Sequence, residues 1–294
     1  MSTPTAHAVE QFLASLRTRS APANTIKAYR LDLQQFVRAV PTALEEVTAD
    51  VIRAFLDSHA HLKPATRRRH AATLRALYAW LLHQEIVAEN PMDRLEPIEQ
   101  IERLPRPLAP EVVTKILKAI PASNLRDRAL FTLLYETGIR VGEALNMHYS
   151  DIDLTQDDEK IRVFGKGQRE RTVLLAAAPE SIRLLRRHLK QSHITAGSVF
   201  RGDPRYGGSP LPLEYSVLHY AWQKYCQAAG VQATIHQLRH SRASQLIQAG
   251  VPITTVRKQM GHRNLQSTLL YAEVDQATIK HDLLEYQRRK RRNS

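Results

Sequence analysis

A group of closely spaced prolines limits how this chain can fold. Prolines stand at positions 97, 105, 107 and 110, within the segment PIEQIERLPRPLAP. Each proline fixes φ and removes a backbone N–H, so neither a helix nor a central β-strand tolerates this density. The segment therefore predicts a Pro-rich linker over residues 91–109, with the boundary near residue 104. It would join a domain over residues 1–90 to a second domain over residues 110–294.

The part of the chain before the linker has the periodicity of helices. In NTIKAYRLDLQQFV, five apolar residues repeat on one helical face: Ile26, Tyr29, Leu33, Phe36 and Val37. Asn24 or Thr25 is available as the N-cap of that helix. Three more helices fit AHAVEQFLASLR, TADVIRAFLDSHA and KPATRRRHAATLRALYAWLL, the last with Pro64 in its first turn. Four short helices predict a small bundle.

The part after the linker has a mixed pattern. KIRVFGKGQRERTVLL predicts two short strands joined by a Gly-rich turn. Helices are predicted for EVVTKILKAI, RDRALFTLLYETG, APESIRLLRRHLK, LEYSVLHYAWQKYCQAAG, HQLRHSRASQLIQAG and ITTVRKQMG, with Gly138 at the end of the second. A last helix from about Asp275 ends in the basic tail QRRKRRNS. The predicted fold class is mainly α with a small antiparallel β-sheet, comprising a four-helix N-terminal domain and a mixed α+β second domain.

The net charge of the chain is strongly positive and unevenly distributed. The chain has 42 Lys and Arg against 29 Asp and Glu, a net charge of +13. Residues 1–103 carry a net charge of +1, and residues 104–294 carry +12. A basic excess of this size favours a polyanionic partner, nucleic acid first, over a basic solvated surface without a partner.

Other features of the sequence exclude several classes of protein. No apolar run approaches the roughly 18 residues that a membrane span needs, and MSTPTAHAVEQF lacks the pattern of a signal peptide. We therefore expect a cytoplasmic protein. The single cysteine, Cys226, can form no disulfide within the chain and no multi-cysteine zinc site. Because it stands among apolar residues at helical spacing, we expect a small buried side chain rather than a catalytic thiol.

A run of basic residues lies at the front of the fourth N-terminal helix. Its members are Lys63, Arg67, Arg68, Arg69 and Arg75. Such a run forms either a solvated face or a set of contacts with backbone phosphates, and here both interpretations have similar weight.

The motif HQLRH, residues 236–240, places three ionisable side chains on one helical face. Two histidines four residues apart can bind zinc, but Gln237 replaces the glutamate of the HExxH pattern and Arg239 would repel a metal ion. Burial of three such groups without partners would be costly. An anion site uses all three, because arginine offers a fork of donors that matches a phosphate. We therefore expect a phosphate site and no metal.

Three other segments carry residues suited to the same chemistry. In MGHRNLQSTLLYAEV, His262 follows a glycine and Tyr271 stands nine residues later. Upstream, TGIRVGEAL places Arg140 just after a glycine, and GKG places Lys166 at a hairpin tip. Each is ordinary alone, but together with HQLRH they supply two arginines, histidines, a lysine and a tyrosine.

In their order along the chain, these segments resemble the active-site signature of the tyrosine recombinase (phage-integrase) family. The resemblance rests on Arg140 in TGIRVGEAL, Lys166 in GKGQRERTV, HQLRH, the GH dipeptide and Tyr271. The helical first domain, the linker and the mixed second domain are similar to the compact two-domain Xer-type recombinases. Met260 is a small departure, because leucine is more usual before the GH dipeptide.

The resemblance implies a role for each residue. Tyr271 would attack a DNA phosphodiester, leaving a 3′-phosphotyrosine bond and a free 5′-hydroxyl. Arg140 and Arg239 would hold the non-bridging oxygens of the phosphate and stabilise its developing charge. Lys166 would protonate the leaving 5′-oxygen.

The resemblance also implies roles for the remaining polar residues. His236 and His262 would hydrogen-bond the phosphate and assist proton transfer from Tyr271. Glu143 would steady Arg140 through a salt bridge, and His240 would orient its neighbours from behind the phosphate-binding residues. Among the ten tyrosines, Tyr286 near the basic tail is the other candidate nucleophile, but only Tyr271 has this spacing from the GH dipeptide.

A site-specific recombinase of this kind implies double-stranded DNA target sites as partners. It would act as a homotetramer, or as a heterotetramer with a paralogue, through a Holliday junction, at the nucleoid in the bacterial cytoplasm and with no membrane partner. It would need neither ATP nor a metal, and no cofactor is expected. The terminal helix would pack on its own domain or on a neighbouring subunit. The alternatives are a type IB topoisomerase-like enzyme and a non-catalytic DNA-binding regulator.

Overall fold

Two separate units make up the fold of the chain. The computed structural model describes residues 4–98, 106–165, 169–202 and 210–261. The first unit spans Met1–Glu102 and the second spans Arg103–Ser294. The boundary between them along the chain therefore falls inside the predicted linker. None of the described helices combines the length and the apolar character that crossing a bilayer requires.

Four helices build the first unit, as the periodicity predicts: α1 (Pro4–Thr18), α2 (Ala23–Ala39), α3 (Ala49–Ser58) and α4 (Pro64–His83). Pro64 occupies the first turn of α4, which confirms that prediction. The predicted cap of α2 is wrong: Pro22 is the N-cap and α2 begins at Ala23, so Asn24 and Thr25 lie within its first turn. The pre-organised φ of proline makes it suitable for this boundary.

The core of the first unit is formed by the apolar faces of its four helices. Fully buried side chains include Phe12, Leu33, Phe36, Leu77 and Tyr78. The short 3₁₀ turn Pro91–Arg94, which begins the predicted linker, packs on the same core through the buried side chain of Met92.

A buried carboxylate on α2 links that helix to α4. Asp32 accepts a hydrogen bond from the Thr73 hydroxyl at 3.0 Å and pairs with Arg69 at 2.6 Å. His70 Nε2 lies 3.2 Å from the same carboxylate. Burial lowers the pKa of His70 despite the opposing charge of Asp32. These contacts partner a carboxylate that would be costly to bury alone.

The second unit is mainly helical with one small sheet. Its helices are α5 (Pro110–Lys118), α6 (Leu125–Thr137), α7 (Val141–Leu145), α8 (Pro179–Gln191), α9 (Tyr215–Ala228), α10 (Ile235–Gln248) and α11 (Ile253–Met260). Its strands are β1 (Ile152–Asp153), β2 (Lys160–Phe164) and β3 (Glu170–Leu174). The predicted fold class is confirmed. The two-residue strand β1 was not predicted, because it is too short to show an alternating pattern.

The sheet is antiparallel, in the order β1-β2-β3. Ile161 pairs with Val173 and Phe164 pairs with Glu170 across the β2–β3 hairpin. Ile161, Val163 and Val173 are buried and so place one face of the hairpin on the core. The strands are separated in sequence by residues 165–169, and Lys166 of that segment lies outside the described residues.

Helix α6 lies at the centre of the second unit and is buried on nearly all sides. It packs against α5, α8 and α10. Cys226 on α9 is buried, as predicted, and burial raises the pKa of its thiol. The indole of Trp222, on the same helix, donates to the carbonyl of Ala233 at 2.8 Å, which ties α9 to the segment before α10. The predicted last helix, from about Asp275, lies outside the described residues.

The core of the first unit can be tested with two leucines of one helix. Leu77 is 0% exposed and Leu82 is 40% exposed, and both lie on α4. Leu77→Ala should lower the free energy of unfolding by about 2–5 kcal/mol, because it leaves a cavity in the core. Leu82→Ala should change that energy by less than about 0.5 kcal/mol. Urea unfolding followed by tryptophan fluorescence, with Trp222→Phe in every variant so that the signal comes from Trp80 on α4, measures both. Equal effects would contradict the packing described.

Candidate active site

Arg140 stands at a sharp turn between two helices. Helix α6 ends at Thr137, Gly138 follows in the left-handed region with φ of 66°, and Arg140 is the N-cap residue of α7. Its side chain is 42% exposed. The guanidinium donates to Glu143 Oε1 and to the carbonyl of Gly261, each at 2.9 Å. Two fixed acceptors therefore orient a cation that remains open to solvent.

Glu143 is the buried carboxylate of the site. Its Oε1 accepts from Arg140 at 2.9 Å and from Arg171 at 2.7 Å. Its Oε2 accepts from the backbone N–H of Arg140 and from Arg171, each at 2.8 Å. Burial alone would raise the pKa of Glu143, but the hydrogen bonds from Arg171 and Arg140 hold it below the usual value. Glu143 is therefore ionised at neutral pH, and the predicted salt bridge with Arg140 is present.

Arg239 is anchored on the ends of two helices. It lies on α10 and is only 4% exposed. Its guanidinium donates to the carbonyl of Gly138, after α6, and to the carbonyl of Met260, the last residue of α11, at 2.9 Å. Carbonyls at a helix C-terminus carry the negative end of the helix dipole, so they favour a cation. The sequence indicated that burial of the Arg239 charge without partners would be costly, and these carbonyls are its partners.

The two arginines are bound to consecutive carbonyls. Arg239 binds the carbonyl of Met260 and Arg140 binds that of Gly261. At the other end, Arg239 binds the carbonyl of Gly138, two residues before Arg140. The turn after α6 and the turn after α11 are thereby joined through both guanidiniums.

Glycine is favoured at both turns. Gly261 has φ of 69°, and a Cβ there would lie 2.7 Å from the Arg171 guanidinium. A Cβ on Gly138 would lie 2.2 Å from the terminal carbon of Met260. Both positions combine a left-handed backbone with a close side-chain neighbour, so a larger residue would be strained and would displace Met260 or Arg171.

The two histidines of HQLRH lie side by side on α10. Their ring centroids are 4.5 Å apart and the rings are nearly perpendicular, at 88°. The side chain of His236 is accessible to solvent. Its pKa is nevertheless lowered, mainly by desolvation and to a smaller extent by the positive charges of Arg239 and Arg140. Burial, then His236 and Arg239, lowers the pKa of His240 to about 4. Both rings are therefore uncharged at neutral pH.

Of the predicted catalytic residues, the described part of the second unit brings together Arg140, His236 and Arg239 with Glu143 and His240. Lys166, His262 and Tyr271 lie outside the described residues. Within the described residues, no three His, Cys, Asp or Glu side chains lie close enough to hold a metal ion.

The predicted DNA-contacting residues belong to the first unit. All five lie on α4 or immediately before it: Lys63, Arg67, Arg68, Arg69 and Arg75. Arg67 lies 3.7 Å from Asp57 and Arg69 pairs with Asp32, so carboxylates of the same unit hold two of the five. Lys63 is exposed at the N-cap.

Sequence reasoning missed Arg171. It lies on β3, two residues before the buried Val173, and is only 17% exposed. Alternation in a strand puts these two residues on the same face. An arginine on the apolar face of a strand requires a buried acceptor. The position of Arg171 in RERTV, in phase with Val173, could therefore have indicated such a partner.

Two sequence profiles match the chain. The profile of the Phage integrase family matches residues 106–278, which is more than half of the chain. The profile described as Phage integrase, N-terminal SAM-like domain, matches residues 9–85.

The chain is also similar to individual proteins. It is 29% identical over 299 residues to tyrosine recombinase XerC of Listeria monocytogenes (strain EGD-e), covering 94% of this chain and 96% of that protein. It is 29% identical over 297 residues to tyrosine recombinase XerD of Rhizobium meliloti, covering 94% and 93%. The structure of XerH site-specific recombinase bound to palindromic difH substrate, in a post-cleavage complex, superposes with a TM-score of 0.74 at 23% identity, covering 92% and 82%. This structural likeness shows a shared fold.

The electrostatics of the site can be tested by titrating its histidines. We expect His240 to titrate with a pKa of about 4 and His236 to titrate below 6.5, because both lie beside guanidiniums in a desolvated position. Side-chain NMR of ¹⁵N-histidine-labelled protein measures both values, and His236→Gln and His240→Gln assign the resonances. A pKa at or above 6.5 for either ring would contradict the arrangement.

Proposed function

The chain belongs to the phage integrase family and is a tyrosine recombinase that acts in site-specific DNA recombination. From this premise, we propose that Tyr271 is its nucleophile. The observation that carries the proposal is the pairing of Arg140 and Arg239 on the consecutive carbonyls of Met260 and Gly261. Tyr271 follows Gly261, the second of these residues, by ten positions in sequence. The chain therefore combines two oriented cations with a tyrosine that is close in sequence to the turn that binds them.

In the proposed reaction, the phenolic oxygen of Tyr271 attacks the phosphorus of a DNA phosphodiester. The bond from phosphorus to the 5′-oxygen breaks, and a 3′-phosphotyrosine bond forms. Lys166 gives a proton to the leaving 5′-oxygen. Because the covalent intermediate retains an ester bond, a 5′-hydroxyl from another strand can reverse the step on a new partner without ATP.

Arg140 and Arg239 stabilise the charge that develops on the phosphate. A guanidinium offers paired donors that match two phosphate oxygens. Donors that are already oriented before the reaction need no reorganisation as charge develops. The acceptors on Glu143, Gly138, Met260 and Gly261 supply this orientation. The two cations take the electrostatic role that a metal ion has in other phosphoryl-transfer sites.

His236 is suited to receive the proton of Tyr271. Its lowered pKa leaves the ring neutral at pH 7, and a neutral imidazole has one nitrogen that accepts a hydrogen bond. His262, immediately after Gly261, is the second candidate for this role. His240 packs edge-on against His236 and keeps that ring in place.

The reaction also determines how many copies of the chain are required. Exchange between two duplexes breaks four strands, and each chain carries one Tyr271. We therefore propose a tetramer on two DNA sites, formed by this chain alone or together with a paralogue, that exchanges strands in pairs through a Holliday junction. The basic run on α4 would contact backbone phosphates. If the enzyme acts on chromosomal DNA, it is located at the nucleoid, in the bacterial cytoplasm.

The nucleophile can be tested with a suicide substrate. A nicked duplex releases a short fragment after cleavage, so the covalent protein–DNA adduct accumulates. The target would be a site selected from the DNA that the purified protein binds. Tyr271→Phe should abolish the adduct and change the dissociation constant for DNA by less than about threefold, because it removes one hydroxyl among many backbone contacts.

The matched control is Tyr286→Phe, which removes the hydroxyl of the other late tyrosine. It should form the adduct at the rate of the unaltered protein. An adduct that persists in Tyr271→Phe would overturn the assignment, and its loss in Tyr286→Phe would identify Tyr286 as the nucleophile. Gel separation of the labelled adduct measures each rate.

A further inference from the structure

Arg171 makes a bidentate contact with the buried carboxylate that orients Arg140. Its two terminal nitrogens donate to Glu143 Oε1 at 2.7 Å and to Oε2 at 2.8 Å. Arg140 uses the same two oxygens, through its side chain and its backbone N–H. Glu143 is therefore shared between an exposed arginine and one that is only 17% exposed.

The charges of these three residues determine what a bound phosphate would experience. An ionised Glu143 paired with Arg140 alone would form a neutral pair, and its negative charge would oppose the attraction of Arg140 for a phosphate. Arg171 adds a second positive charge to the same carboxylate. The group of three then has a net charge of +1, so Glu143 orients Arg140 without cancelling its charge.

Arg171 also packs against the turn that follows α11. Its guanidinium occupies the space where a side chain on Gly261 would start, 2.7 Å from that position. The side-chain amide of Gln259 donates to the carbonyl of Leu174 on β3 at 2.7 Å. Strand β3 is thereby fixed beside the Gly261 carbonyl, which is the second acceptor of Arg140.

We propose that Arg171 is a positioning residue for DNA cleavage, which neutralises Glu143 so that Arg140 keeps its full positive charge for the scissile phosphate. The proposal rests on the proposed function, since it assigns to Arg171 a part in the cleavage step. Arg171 acts through Glu143 and Arg140 and does not itself touch the DNA.

A purely structural role for Arg171 predicts a different pattern of mutational effects. If Arg171 only held β3 in place, its loss would be harmful whatever residue stood at position 143. If it neutralises a charge, its loss is harmful only while that charge is present. A double-mutant cycle between the two positions separates these cases.

The experiment measures the rate of adduct formation on the nicked substrate at saturating protein. Arg171→Gln should slow cleavage by about 10-fold to 100-fold, less than the ~100-fold to 1,000-fold typical of losing a donor that touches the reacting group. Arg171→Lys, which keeps the charge, should recover most of the rate. The double variant Arg171→Gln/Glu143→Gln should cleave faster than Arg171→Gln, because no carboxylate then cancels the charge of Arg140.

Arg162→Gln is the matched control. Arg162 lies on the neighbouring strand β2, pairs with Asp151 at 3.3 Å and stands opposite Thr172, so it is on the other face of the hairpin from Arg171. It should cleave at close to the unaltered rate. Circular dichroism and the thermal midpoint of each variant report whether it is folded.

Two outcomes would overturn the proposal. One is cleavage by folded Arg171→Gln at the rate of the unaltered protein. The other is a double variant more than about 10-fold slower than Glu143→Gln alone, since the charge model predicts little effect of Arg171 once Glu143 is neutral. The second comparison holds even if Arg171→Gln fails to fold. Failure of the unaltered protein to form a Tyr271 adduct would instead contradict the proposed function.

Discussion

The carbonyl groups at two helix ends hold the site together. The carbonyls of Gly138 and Met260 bind Arg239, and that of Gly261 binds Arg140. Each carbonyl lies at a helix C-terminus, where carbonyls have no N–H partner within the helix and where the negative end of the helix dipole is located. Two guanidiniums can therefore lie near each other, although their mutual repulsion opposes this. The carboxylate of Glu143 supplies the remaining compensation, and its own desolvation is offset by four hydrogen bonds.

Much of the fold follows from patterns that are local in sequence. The helices of the first unit show apolar residues at helical spacing. Many of these residues, including Leu33, Phe36 and Leu77, form the core of that unit. The β2–β3 hairpin follows from alternation around a Gly-rich turn. Gly138 ends α6 in the left-handed conformation that glycine adopts most easily. The pairing of Glu143 with Arg140 was also predictable, because side chains three positions apart on one helical turn lie close together.

Other features depend on contacts between distant parts of the chain. The burial of Arg239 could not be predicted, because its acceptors come from turns 101 and 21 residues away in sequence. Arg171 was missed because its partner, Glu143, lies 28 residues away on another element. The cap of α2 was wrong because a proline before the helix took the place of a polar side chain. In each case a non-local contact or a competing residue at the boundary decided the outcome.

The central claim is that the two arginines act on the negative charge of the scissile phosphate. A methylphosphonate replaces one non-bridging oxygen with an uncharged methyl group and removes that charge. We would measure adduct formation by the unaltered protein, Arg140→Ala and Arg239→Ala on matched DNA sites with a phosphate or a methylphosphonate at the scissile position. The account predicts a large defect of both variants on the phosphate and a much smaller one on the methylphosphonate. An equal defect on both substrates, in variants that circular dichroism shows to be folded, would contradict it.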